Sequence, residues 1–186
     1  MIRRQVFAAV RILLVLTVLL GVLYPLAITG LAGLAMPGRA GGSLILSGGE
    51  VVGSALIGQE FTGPEWFHGR PDPFDPAASG AGNLGPSNPL LADAVRAAAE
   101  EVARLGDWSG PIPADAVSGS GSGLDPHISP DYARLQAPRV AATRGLQPDE
   151  VLRLVESFTE GRTLGILGEP RVNVLLLNLA LSGLQS

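Results

Sequence analysis

The chain has 186 residues, 46% of them apolar, with 17 acidic against 13 basic side chains and a formal net charge of −4. It has no cysteine and no lysine, which excludes disulfides, thiolate catalysis, zinc–thiolate sites, a P-loop lysine and Schiff-base chemistry. All 17 acidic residues and ten of the 13 basic ones follow residue 36, so that part carries −7 and argues against nucleic acid as a partner.

The first element is apolar. From Ile12 to Met36 no charged residue occurs in ILLVLTVLLGVLYPLAITGLAGLAM. At ~1.5 Å per residue, about 20 such residues cross the ~30 Å hydrocarbon core, which predicts a cytoplasmic N-terminus over 1–11 and a transmembrane helix over 12–36. Pro25 and the glycines are tolerated inside such a helix. The competing reading is a cleavable signal peptide with Arg3, Arg4 and Arg11 as its basic start. Its apolar region is usually about 7–15 residues, shorter than this one. Either reading exports the remainder. Three arginines precede the span and Arg39 alone follows it closely, which predicts an inner-membrane, single-pass protein with residues 37–186 outside the cytoplasm.

Beyond a linker at 37–42, Ser43–Leu46 and Val51–Ile57 read as strands around the turn pair Gly48-Gly49. Residues 62–89 are dense in Gly, Pro, Asn and Ser, yet Trp66, Phe67 and Phe74 predict an ordered, irregular loop. Asn88 and Pro89 start a helix that stops at Gly106, with Leu91, Val95, Ala98, Val102 and Leu105 on one face. A short strand is expected at 113–117. Ser118–Gly123, SGSGSG, has the composition of a linker. Framed by Val117 and by the helix start at Ser129-Pro130, it reads instead as an ordered turn, with Gly123 at positive φ. Pro138 is expected to kink or split the helix that follows. Another helix starts at Pro148 and ends near Gly161, and a strand is expected at 162–167. Arg171–Leu181 is apolar nearly all round but too short to cross a bilayer. It reads as a helix buried in the core or against a partner. The fold class expected is α+β: one N-terminal transmembrane helix followed by a single extracytoplasmic α+β domain over 37–186.

Asp125 and His127, with Ser120, Ser122 or Ser129, contain the residue types of a catalytic triad. The Asp and His are two apart around a proline, however, and no G-x-S-x-G elbow exists. Asp125 is therefore expected to cap a turn and His127 to hydrogen-bond to backbone. His68 and His127 do not lie at metal-ligand spacing, so no metal site is expected. Arg70 is expected to tie down its loop or pair with a carboxylate or phosphate. Asn83, Asn88, Asn173 and Asn178 suit the stitching of irregular loops. These residues alone describe an anchored extracytoplasmic domain without an assigned task. An anchored binding module holding a small ligand in the 62–89 loop is the alternative from outside transport.

Several stretches together resemble the C subunit of the Kdp-type potassium-transporting P-type ATPase, KdpC. They are Gly53–Phe61 (GSALIGQEF), Phe67–Pro71 (FHGRP), Asn83–Pro89 (NLGPSNP) and Ser120–Ser129 (SGSGLDPHIS). Arg139-Val-Ala with Ala142 and Arg144-Gly-Leu146, Leu167–Val174 (LGEPRVNV) and Leu177–Leu181 (LNLAL) complete the series. The resemblance covers nearly the whole chain in order. It implies a non-catalytic accessory subunit of a four-part membrane complex, required for assembly and activity. The partners it implies are a potassium-channel-like subunit, an ATP-hydrolysing P-type subunit and a small subunit, with membrane lipid around the anchor. It also implies a role in raising the pump's ATP affinity, linked to Gln136, with ATP a possible ligand and no cofactor held stably. Gly123, Asp125, His127, Arg70 and Asn83 are the loop residues expected to face a partner or hold structure. The arginine asymmetry opposes the nucleotide role, because ATP is scarce outside the cell.

Overall fold

The computed structural model describes residues 2–105 and 110–184. It divides into two compact units, Met1–Val51 and Val52–Ser186. Together they form one long N-terminal apolar helix and a mixed region of helices and strands, an α+β protein.

In the first unit, helix α1 runs over Ile2–Ala35, 34 residues, and is the one helix among the described residues long and apolar enough to cross a membrane. The basic residues at its start are helical too, and the Arg11 guanidinium lies 5.5 Å from the centre of the Phe7 ring. The helix is not regular throughout: Leu19–Leu23 forms a π-helical turn, in which the Tyr24 N–H reaches the Leu19 carbonyl, five residues back. Pro25 explains it. A proline has no N–H to donate to the carbonyl of residue 21 and its ring crowds that carbonyl, and widening the preceding turn relieves both. After a single helical turn at Pro37–Ala40, strands β1 (Leu44–Ser47) and β2 (Glu50–Ser54) pair around the Gly48-Gly49 turn. The boundary between the units falls inside β2.

The second unit contains helices α2 (Pro89–Arg104), α3 (Pro130–Arg144), α4 (Pro148–Ser157) and α5 (Val174–Gly183). Three short strands, β3 (His127–Ile128), β4 (Thr159–Glu160) and β5 (Arg171–Asn173), form an antiparallel sheet in the order β3-β5-β4. Helix starts follow the capping residues. Asn88 accepts from the Leu90 N–H, Ser129 from the Tyr132 N–H and Asn173 from the Leu176 N–H, each satisfying one donor that a first turn leaves orphaned. The predicted face of α2 turns inward, with Val102 buried and Leu91, Val95, Ala98 and Leu105 half-buried. Its predicted stop at Gly106 lies outside the described residues. Helix α3 packs on α4, and α5 on α4 and β5. Phe67, Val140, Val151, Val155, Val172, Leu177 and Leu181 are fully buried at the centre. At ~1.5–3 kcal/mol per buried aliphatic or aromatic side chain, that cluster is the main source of stability.

Four local expectations are corrected. The strand at 113–117 is instead a 3-10 turn at Ala114–Ala116. Asp115, held in it, is engaged by the Ser129 N–H and hydroxyl at 2.5 and 2.8 Å. Pro138 does not split α3, which runs unbroken from Pro130 to Arg144. Ala137, Val140 and Ala141 beside it are fully buried, and that packing outweighs the ~3 kcal/mol that a missing N–H and a crowding ring cost inside a helix. The strand at 162–167 is a tight turn closed by a single bridge between Thr163 and Leu167. Finally, the apolar run from Arg171 gives its first three residues to β5, and helix begins at Val174. Of the three loop aromatics, Phe67 is the buried anchor, Trp66 is half-buried and Phe74 is exposed.

Candidate functional site

The SGSGSG stretch and the loop before α2 are tied together by short-range caps and long-range clamps. The Ser120 N–H donates to both carboxylate oxygens of Asp72, at 2.9 and 2.8 Å. Arg70 donates through Nε and Nη2 to the Ser118 carbonyl at 3.2 and 3.1 Å, and through Nη2 to the Gly119 carbonyl at 2.7 Å. Its Nη1 lies 3.8 Å from Asp125, a half-exposed pair that contributes little. Within the stretch, Gly123 donates to the Ser120 hydroxyl and Leu124 to the Ser122 hydroxyl. Gly123 sits at φ +69°, as its place before Leu-Asp-Pro predicts, while Gly119 and Gly121 do not have positive φ. Three neighbours complete the clamp: Gly58 donates to Leu124, Gly80 to Ser122 and Val174 to Pro126.

Asp125 caps its turn by accepting from the His127 N–H at 3.0 Å. The His127 ring faces the same carboxylate, with Nδ1 3.4 Å from Oδ1, rather than a backbone carbonyl as expected. The serine hydroxyls that a triad would need are committed elsewhere: Ser120 and Ser122 accept from backbone, and Ser129 donates to Asp115. Asn83 holds a left-handed backbone at φ +50°, on the rim of a groove lined also by Pro71, Asp72, Leu91 and Ser120.

A second cluster holds residues 63–68 against the helices. Gln136 of α3 accepts from the His68 N–H at 2.7 Å and donates to the His68 carbonyl at 3.0 Å. Asn178 of α5 does the same for Phe67, at 2.9 Å in both directions. Two buried amides thus pair consecutive residues of an irregular loop, as a strand partner would. Arg139 donates to the carbonyls of Pro64 and Trp66 and to the Gln136 amide oxygen. Arg144 donates to the Glu65 carbonyl at 2.7 Å and stacks 4.3 Å over the Trp66 ring. The His68 Nε2 lies 2.8 Å from the Gly63 carbonyl; a carbonyl only accepts, so this nitrogen carries the proton. Burial pushes the His68 pKa down, and the neighbouring Arg139 adds to the effect. The Tyr132 hydroxyl is pushed up to about 12, first by burial and then by Asp115. Arg139 is lowered, mainly by burial, and remains charged because its starting value is so high.

Between the two clusters lies a cleft of about 250 Å³, lined by Gly58–Phe61, His68–Asp72, Phe74, Glu101, Gly123–Asp125 and Tyr132. It collects Arg70, Gly123 and Asp125, while His127 lies on a separate cavity with Arg70, Asp125 and Arg171. Gln136 is fully buried, and its amide oxygen and nitrogen both hold the His68 backbone. Among the described residues no group of three or more acidic or histidine side chains is arranged to hold a metal. Sequence reasoning missed Asp72 and Arg139. Both lie inside or next to stretches that carry the family resemblance, but their partners are 48 and about 75 residues away.

The family model for KdpC, the c chain of the K+-transporting ATPase, matches residues 6–183. Among curated relatives, the potassium-transporting ATPase KdpC subunit of Nitratidesulfovibrio vulgaris is 51% identical over 185 residues, 94% of each chain. That of Rhodopseudomonas palustris is 50% identical over 196 residues, 96% of each. That of Sorangium cellulosum is 54% identical over 182 residues, covering 94% of this chain and 95% of the relative.

Proposed function

The chain belongs to the KdpC family, the c chains of potassium-transporting ATPases, and from that premise we propose that it is the complex's non-catalytic scaffold, required for assembly and activity. It is a component of a potassium-transport complex, so the alternative of a binding module unrelated to transport falls away. The finer reading assigns it three partners: an ATP-hydrolysing P-type subunit, a potassium-channel-like subunit and a small subunit. The anchor lies in the cell membrane with the folded domain on the extracytoplasmic side, a reading supported by Arg3, Arg4 and Arg11 before the span against Arg39 after it.

One observation carries the non-catalytic reading. The groups that chemistry would use are spent on backbone: Ser120, Ser122, Asp125 and Gln136 each hold a main-chain group of an irregular loop. The candidate serine hydroxyl that donates to a carboxylate, Ser129 to Asp115 at 2.8 Å, is itself spent capping α3 by accepting from the Tyr132 N–H. A role for Gln136 in the pump's ATP affinity would then be indirect. By holding His68, it shapes the loop that lines the cleft, and a partner would read that shape.

The test is reconstitution of the complex with and without this chain. Potassium-stimulated ATP hydrolysis should be absent without it and return on adding the purified full chain, which alone should turn over no ATP. Full activity of the complex lacking the chain would overturn the reading. In the same assay Gln136→Ala should raise the ATP concentration for half-maximal rate without creating or abolishing a nucleotide site on this chain.

A further inference from the structure

Strands β4 and β5 are the two arms of a long hairpin that ends in an apolar tip. Thr159 pairs with Val172 and Glu160 with Arg171 in the ladder. Beyond the ladder, Arg162 is 2.7 Å from Glu169, and Thr163 and Leu167 exchange backbone hydrogen bonds of 2.8 and 3.0 Å. The chain reverses at Leu164 (φ +56°) and Gly165 (φ +78°). The arm is therefore ordered to its end. At that end stand Leu164, 86% exposed, Ile166, 75%, and Leu167, 58%.

Folding explains neither feature. A left-handed turn position favours glycine or asparagine, and leucine there is strained. Three clustered aliphatics also stay in water and add nothing to the core. A side chain unfavourable on both counts suits a contact made outside the domain.

We propose that this tip is a docking knob, seated in an apolar socket on another protein subunit of the same ATPase. The proposal rests on reading this chain as an assembling subunit. Charge favours a protein socket over a bilayer. Membrane-binding tips are flanked by cations free to meet anionic lipid. Here Arg162 and Arg171 are paired with Glu169 and Glu160 at 2.7 and 2.9 Å, and the chain beyond residue 36 carries −7. An apolar centre within a polar, charge-balanced rim is the anatomy of a protein interface.

The test uses the full chain, tagged and coexpressed with the remaining subunits. In the double variant Leu164→Asn, Ile166→Ser, asparagine tolerates the left-handed backbone, so the thermal midpoint of the purified chain should hold or rise. The amount of the other subunits copurifying per tagged chain should fall at least tenfold. Because the chain has no cysteine, a bimane on Leu164→Cys reports the tip alone, and its emission should shift to the blue when the purified remaining subunits are added. Copurification equal to wild type overturns the proposal. So does a blue shift produced by phosphatidylcholine–phosphatidylglycerol vesicles alone, or by raising the concentration of the chain alone. If the wild-type chain itself fails to copurify, the assembly reading fails as well, a result distinct from failure of the variant.

Discussion

Replacing Gly123 by alanine separates an ordered turn from a spacer. Gly123 holds φ +69°, and a Cβ there would meet the Gly80 carbonyl oxygen at 3.0 Å. That carbonyl cannot retreat freely, because the Gly80 N–H donates to Ser122 at 2.7 Å in the same turn. The left-handed position costs alanine ~1–2 kcal/mol, and loosening one of these hydrogen bonds adds about 1 kcal/mol. A total of about 2–3 kcal/mol lowers the thermal midpoint of a domain this size by about 4–12 °C. Gly121 is the control: it lacks positive φ, and a Cβ there meets nothing within 4 Å. Gly121→Ala should leave the midpoint within about 1 °C, by the same scale. The measurement is thermal unfolding of the purified full chain in detergent, followed by circular dichroism, with potassium-stimulated ATPase of the assembled complex as a second readout. Gly123→Ala should lower both, and Gly121→Ala neither. Equal behaviour of the two variants would refute the argument and make SGSGSG a flexible connector.

Asn178→Ala should cost about 3 kcal/mol, since it leaves the buried N–H and carbonyl of Phe67 without partners; chemical denaturation measures it, and a loss below about 1 kcal/mol would show that water replaces the amide. His68 has its pKa lowered from 6.5, so the unfolded chain binds its proton more readily, and stability present above about pH 6.5 is lost as pH falls toward the folded value. The drop in thermal midpoint from pH 7.5 to 5.5 should shrink in His68→Gln, and an unchanged drop would remove His68 from that dependence. An impermeant maleimide should label Ala97→Cys in intact cells with a permeabilised outer envelope, and should not label Gln5→Cys; the reverse pattern would overturn the topology and revive direct nucleotide contact.

Features written in neighbouring residues were legible. The caps Asn88 and Ser129, the Gly48-Gly49 turn, the Asp125 turn and the positive φ of Gly123 each depend on a few adjacent positions. The misses share a cause in sequence separation. β3 and β4 have two residues each and β5 three, too few for an alternating pattern, and they are strands only because they meet one another. The helix through Pro138 is decided by burial of Val140 and Ala141, which proline's local preference does not contain. The candidate site divides along the same line. Asp125 as a cap was readable. The pairing of Gln136 with His68 and of Asp72 with Ser120 was not, because no local pattern joins residues 68 and 48 apart.

The π-helical turn at Leu19–Leu23 changes how the span presents itself to its surroundings. A turn that takes in one additional residue rotates everything after it by about 100° relative to a regular helix. Side chains before Leu19 and after Leu23 that share a stripe on a helical wheel therefore point in different directions. A neighbouring helix lying along one stripe of the first half meets a different stripe in the second. Residue-by-residue substitution or crosslinking along the span would accordingly give two periodic patterns with a phase slip at the proline, and fitting one continuous period to them would assign the wrong faces to Leu26, Ile28 and Leu31.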